Sequence, residues 1–223
     1  MASVIGDLLP LAVGVAISPI PIIAVILMLL APRAGATSLG FSLGWVVGIV
    51  TTITVFTVIA STAGLSEAGG PSTTASWVKI VLGALLLPLA RRQRRARPRS
   101  GEPVELPKWM AALDKVTFGK AAALGFGLAA VNPKNLLLCA AAGATIGAGD
   151  LGTGQAVAAV AVFTVIAASS VAILVVGYVV ARERMERPLN ELKSWLEANN
   201  AAVMSVLLLV IGVVLIGKGI GGL

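Results

Sequence analysis

The chain contains no histidine and a single cysteine, Cys139, in 223 residues. A disulfide within the chain is therefore impossible, and a structural zinc site, which prefers Cys and His ligands, is not expected. Ser-His and Cys-His catalytic arrangements cannot be built either. An enzyme acting on lipid would also lack a carboxylate base, because no Asp or Glu falls in the middle of an apolar run. We therefore expect no enzyme activity, no bound metal and no cofactor.

Charged residues are also scarce, at 12% of the chain against 57% hydrophobic residues. Soluble domains carry about 25% charged residues. Several apolar runs reach the roughly 20 residues that a helix needs to cross a bilayer. The runs are continuous rather than alternating with a period of two, so they indicate helices and not the strands of a barrel. The composition predicts an all-α, polytopic membrane protein.

The apolar runs predict about six transmembrane helices. By number, the predicted spans are 8–30, 38–60, 76–90, 120–146, 155–180 and 200–220. They divide the chain into a first transmembrane half (1–90), a basic loop with an amphipathic segment (91–118) and a second transmembrane half (119–223). A second amphipathic segment, 188–197, follows the fifth span. Helices of this kind lie at the membrane surface.

The net charge of +7 comes largely from six arginines within residues 91–99. Such a cluster directly after a hydrophobic run is typical of a cytoplasmic loop. We favour contact with anionic lipid headgroups there over binding of nucleic acid. The loops after the first, third and fifth spans hold most of the basic residues. This pattern predicts a multi-pass protein of the plasma (inner) membrane with both termini outside the cytoplasm.

The sequence Asn132-Pro133-Lys134-Asn135 lies inside an apolar stretch. A lysine at membrane depth costs about 3 kcal/mol on insertion scales. The adjacent proline removes a helix hydrogen bond and bends the segment. A charge and a helix break at one point indicate a polar site inside the membrane. Lys134 could bind an anionic group of a substrate, exchange protons itself, or cap carbonyls that the break frees.

A similar break occurs in the first half of the chain, at Ser18-Pro19-Ile20-Pro21. Ser18 and Asn132 are 114 positions apart (132 − 18), about half the chain length. Each motif lies near the middle of the first span of its half, and each half has three spans. An odd number of spans predicts two inverted three-helix repeats, as in many secondary transporters. The alternative is two ordinary proline kinks.

These paired motifs resemble those of the LysE superfamily of exporters. The length, six spans, basic central loop and Asn-Pro-Lys-Asn wording are most similar to the actinobacterial GAP family, the glycopeptidolipid- or sulfolipid-addressing proteins. Ile20 stands where many LysE-type sequences carry glycine, which leaves the amino-acid substrate of the wider superfamily in doubt. The resemblance implies outward movement, or assisted delivery, of a cell-envelope lipid.

The sequence therefore predicts a transporter that exports or addresses an envelope lipid, or another anionic or zwitterionic small molecule, by alternating access. The predicted substrate-binding residues are Ser18, Pro19, Pro21, Asn132, Pro133, Lys134 and Asn135. Three alternatives remain: a scaffold that assists a lipid synthase or a larger exporter, a passive channel, and a membrane enzyme. Gly40, Gly44 and Gly48 indicate either close packing within the chain or the seam of a homodimer.

Overall fold

The computed structural model describes residues 1–63, 66–67, 70–71, 73–95 and 116–223. Almost all of them are helical. The helices are α1 (Ala2–Ala16), α2 (Pro19–Leu30), α3 (Ala34–Thr62), α4 (Thr73–Arg95), α5 (Phe118–Ala130), α6 (Pro133–Gly147) and α7 (Thr153–Ile220). Between α3 and α4, two strands of two residues each, β1 (Ser66–Glu67) and β2 (Gly70–Pro71), pair antiparallel.

Helices α1 and α2 form one bent pair and α5 and α6 form another. The bend is 49° between α1 and α2 and 63° between α5 and α6. In both pairs the second helix begins with a proline, Pro19 or Pro133. Proline fits the first position of a helix because that residue has no helical partner for an N–H. The two proline motifs thus break their spans where the sequence predicts.

Helix α7 runs over 68 residues but is not straight, because Ala181 has non-helical backbone angles (φ −142°, ψ 50°). Ser170, before this break, bonds to Ala16, whereas Ile211, after it, packs against Gly14. A straight helix would separate residues 170 and 211 by roughly 60 Å. The chain therefore folds back between these two residues, and Ala181 interrupts its helical backbone there. We call residues 153–180 the first limb of α7 and residues 182–220 its second limb.

Helix α3 packs closely on α5 through its glycines. A Cβ atom added at Gly44 would clash with the carbonyl oxygen of Ala122, and one added at Gly125 would clash with that of Phe41. Gly40 and Gly48 also face α5, at Phe118 and Ala129. The glycine stripe therefore serves packing within the chain, as one of the two interpretations predicts.

Both ends of the chain lie at the same end of the helix bundle. Asp7 Oδ1 lies 2.6 Å from Lys218 Nζ, and Asp7 Oδ2 lies 3.9 Å from Lys79 Nζ. The ends of α3 and α6 belong to this group as well, since Gly147 packs on Ala60. We call this the terminal end of the bundle, and the opposite end, where α4 finishes at Arg95, the arginine end.

The helices support a membrane protein but not the count of six spans. Three helices, α3, α4 and α7, are long and apolar enough to cross a membrane, and the two bent pairs raise the number to five. The fifth and sixth predicted spans both fall in α7. The amphipathic segment 188–197 is helical and belongs to the second limb of α7. Residues 96–115 of the basic loop lie outside the described residues. They include most of the amphipathic segment of that loop, which spans residues 107–117.

Candidate functional site

The first break leaves backbone carbonyls that need new partners. Pro19 has no N–H to give to Val15, four residues earlier, and the Ser18 N–H bonds to the Val15 oxygen instead of the Gly14 oxygen. The Ser18 hydroxyl also lies 2.7 Å from the Val15 oxygen. The carbonyl of Gly14 is thereby left without its usual donor from the helix.

Lys134, in the other half of the chain, supplies the missing donor to the Gly14 carbonyl. Its ammonium donates a hydrogen bond of 2.8 Å to the Gly14 oxygen and a second to the Ser18 hydroxyl. The Lys134 residue is buried, with 7% of its surface exposed. No ion pair to a carboxylate forms at Lys134 within the described part of the chain. Among the described residues, the partners of the Lys134 side-chain nitrogen are thus neutral oxygens.

The second break is organised by its two asparagines. The Asn132 side chain accepts a bond of 3.1 Å from the Lys134 backbone N–H and so caps α6. The Asn135 side chain donates a bond of 3.0 Å to the Leu128 carbonyl oxygen, on the far side of the break. It also accepts a bond of 3.1 Å from the Ser18 hydroxyl. Asn135 therefore ties the two broken helix pairs together.

The structure brings three of the predicted site residues, Ser18, Lys134 and Asn135, into direct contact. The first-half prolines, Pro19 and Pro21, are buried at the start of α2 beside them. Asn132 is half-buried and acts as a helix cap, whereas Pro133 is exposed. The predicted motifs thus meet, but their members take different positions: contact, helix start and cap.

An open cleft of about 610 Å³ lies against this cluster. Lys134 and Asn132 line one wall, and Arg92 and Gln93 of α4 line another. Ile20, Leu89 and Leu208 make the remaining surface largely apolar. An ammonium has three donors, and two of those of Lys134 are bonded within the protein. The third donor has no partner among the described residues and can bind a molecule in this cleft, which we call the basic cleft.

The sequence motifs did not identify three candidate functional groups, namely the Gly14 carbonyl, Arg92 and Ser170. The Gly14 carbonyl follows from proline geometry, because it is the acceptor that the break releases. Arg92 belongs to a run whose composition indicates only topology, and its place beside Lys134 depends on how α4 packs. Ser170, on the first limb of α7, donates a bond of 2.7 Å to the Ala16 oxygen at the same break. No sequence signal separates Ser170 from other hydroxyl residues of membrane helices.

Long apolar helices, two broken pairs and a buried cation between them define the class: a helical membrane protein with a polar site at helix breaks. Within that class, the chain belongs to the family described as Sap, sulfolipid-1-addressing protein, which it matches over residues 8–221. The match covers nearly the whole chain, including both break motifs. No curated protein and no solved structure gives a significant match.

Proposed function

We propose that this protein moves an anionic envelope lipid, or a related anionic or zwitterionic molecule, across the membrane by alternating access. The supporting observation is the Lys134 ammonium. It is held at the junction of the two breaks and keeps one donor for the basic cleft, where Arg92 supplies a second positive charge. Two cations beside an apolar wall suit a ligand with an anionic head and a hydrocarbon body. The family description, which names a lipid, agrees with this ligand class.

An architecture of two inverted three-helix repeats, as in LysE-type exporters, is part of the proposal. It counts each bent pair as one span and each limb of α7 as another. Gly14 and Leu128 support it, because they are 114 positions apart (128 − 14), the same offset that relates Ser18 to Asn132. Both carbonyls precede a break by four residues, and both accept a bond from an α6 side chain.

Alternating access requires that one side be closed while the other is open, and contacts at the two ends of the bundle support such a difference. At the terminal end, Asp7 bridges α1 to α4 and α7 through Lys79 and Lys218. At the arginine end, the basic cleft opens beside Arg92. The positive-inside rule assigns the arginine end to the cytoplasm. The present conformation then corresponds to a carrier of the plasma membrane that is open toward the cytoplasm.

The proposal is tested by flux in proteoliposomes. A fluorescent sulfated lipid is placed in one leaflet, and its movement to the other is followed by quenching with a reagent that cannot cross the bilayer. The wild-type protein should accelerate this movement, and Lys134→Met should not. Lys120→Met removes an equivalent charge at an exposed position of α5 and should transport as the wild type does. Flux that is unaffected by Lys134→Met would overturn the proposal.

A scaffold that assists a lipid synthase or a larger exporter is the second candidate, because the family description speaks of addressing and not of transport. The same vesicles separate the two functions. A scaffold would give no flux with the wild-type protein alone, and flux would require a second component. A passive channel would differ again, because its flux would not saturate as the lipid concentration rises.

A further inference from the structure

The arginines at the end of α4 point to two different sides of the helix. Arg91 and Arg94 are three residues apart and share a face, and they line a pocket of about 520 Å³ between α4 and the second limb of α7. Arg92 lies about 100° around the helix and lines the basic cleft. Neither Arg91 nor Arg94 forms an ion pair with any residue that the structure describes. We call their pocket the arginine pocket.

An apolar groove of about 600 Å³ adjoins the arginine pocket. It lies between α1 and the second limb of α7, and its walls include Val13, Ile17, Val206 and Val210. These side chains are 43%, 44%, 58% and 55% exposed. Val206 lines both the groove and the arginine pocket. The two therefore form one continuous surface, cationic at one end and hydrocarbon-like along the rest.

We propose that this surface binds one anionic phospholipid from the surrounding leaflet. Its phosphate would lie at Arg91 and Arg94, and one acyl chain would lie in the groove between α1 and α7. Charge complementarity selects the headgroup, because guanidinium groups bind phosphate oxygens with two parallel bonds. The groove follows the second limb from Ala202, at the level of the pocket, to Ile211, which is roughly 14 Å nearer the terminal end. This direction is the one that an acyl chain takes from the headgroup layer into the membrane.

The lipid site reaches the first break. Gly14 lines the apolar groove, and its carbonyl oxygen is the one that Lys134 binds. A lipid chain in the groove therefore lies against the helix that holds the buried ammonium. The site does not depend on the proposed transport, because a structural lipid would occupy the same surface in a protein that moves nothing.

Native mass spectrometry tests the site on the full chain released from vesicles of equal parts phosphatidylglycerol and phosphatidylcholine with identical acyl chains. The wild type should retain phosphatidylglycerol in preference. Each basic side chain that binds the headgroup contributes about fivefold to such a preference. Replacing Arg91 and Arg94 together with glutamine should therefore weaken the preference by about 30-fold. Arg95→Gln removes one charge outside the pocket and should weaken the preference by less than either Arg91→Gln or Arg94→Gln does.

The groove is tested separately by filling it. Val206→Trp should reduce the retention of both lipids. Val213→Trp, at an equally exposed valine two turns further along α7 and outside the groove, should not reduce it.

An equal loss of preference in Arg95→Gln, or no preference in the wild type, would overturn the proposal. Retention of a lipid from the native envelope in place of phosphatidylglycerol would also overturn it, because the surface would then bind the transported lipid. Lipid flux in Lys134→Met is a separate readout, so failure of the transport proposal is recognised independently of lipid retention.

Discussion

Both broken helix pairs are interrupted at a proline, but they contribute different hydrogen-bonding groups to the site. In the first pair, the break exposes oxygens: the Gly14 carbonyl and the Ser18 hydroxyl both accept bonds from Lys134. In the second pair, α6 supplies donors: the Lys134 ammonium for the first break and the Asn135 amide for the Leu128 carbonyl of its own break. One half therefore provides the acceptors and the other half provides the cation.

The residues that precede α2 and α6 also differ in whether their side chains cap the helix. Asn132 caps α6 with its side chain, whereas the Ser18 side chain does not cap α2. The Ser18 hydroxyl is instead within bonding distance of Val15, Lys134 and Asn135. The second break is therefore fixed by bonds within its own half, while the first break depends on its partner. We expect variants of the first break to disturb the contact between the halves more than variants of the second cap do.

The largest effect is expected from Lys134→Met, which removes the cation and keeps an apolar stem. Transport should be lost, while the protein still inserts and folds. The Gly14 carbonyl would lose a donor, at a cost of about 1–3 kcal/mol, but the protein would no longer bury a charge, which offsets this cost. Thermal unfolding in detergent, measured beside lipid flux, checks both statements. A parallel loss of folding and flux would instead assign Lys134 a structural role.

Ser18→Ala should have the next largest effect, because the hydroxyl bonds to a charged group. Such bonds contribute about 1.5–3 kcal/mol. The unfolding free energy should fall by this amount, and a double-mutant cycle with Asn135→Ala should show coupling of about 0.5–3 kcal/mol. Ser61→Ala is the matched control, because the Ser61 hydroxyl is exposed and bonds only to its own helix, at Val58. Additive effects of Ser18→Ala and Asn135→Ala would contradict the contact between the halves.

Asn132→Ala should have a smaller effect, confined to the second break. Loss of a side-chain helix cap costs about 1 kcal/mol. Thr117→Ala, at the corresponding position of α5, removes a side chain that makes no cap bond and should cost only a few tenths of a kcal/mol. Chemical unfolding of both variants in the same detergent gives the comparison. The cap assignment fails when the two substitutions cost the same.

Asp7→Asn should change stability least, by up to about 1 kcal/mol, because its ion pairs are partly exposed. Its effect on conformation should be clearer. Asp7 lies in α1, the first helix of the first broken pair, and bridges it to α4 and α7. Loss of this bridge should open the terminal end and raise the accessibility to thiol reagents of a cysteine at a buried position there, Val4→Cys. Asp150→Asn, at an exposed carboxylate, should leave that accessibility unchanged.

Much of the site follows from local rules in the sequence. Proline fixes both breaks, and the cost of burying Lys134 indicates that it faces protein or a cavity and not lipid. The offset between Ser18 and Asn132 identifies the two breaks as counterparts. The contact partners do not follow from that offset. Ser18 bonds to Lys134 and Asn135, not to Asn132, because the first turn of α6 carries these residues toward α1.

Other parts of the fold and of the site depend on helix packing, which the hydrophobic periodicity of the sequence does not reveal. Arg91, Arg92 and Arg94 fall in one basic run, and only the docking of α4 on α7 assigns them to two different clefts. The relation of the last two predicted spans is a similar case. Hydropathy separates them, but helical backbone continues from one to the other except at Ala181. The break at Ala181 has no proline or glycine beside it that would predict it, since Pro188 lies seven residues further along.

Access to the basic cleft from one side provides the most direct test of the account. Gly127 lines this cleft, and a side chain added there meets nothing within 4 Å, so Gly127→Cys in a Cys139→Ser background introduces one reactive thiol. A bulky thiol reagent that cannot cross the membrane should modify it from the arginine end only, and the modification should stop lipid flux. Modification from the terminal end only, or undiminished flux after complete modification, would contradict a transport route that passes Lys134.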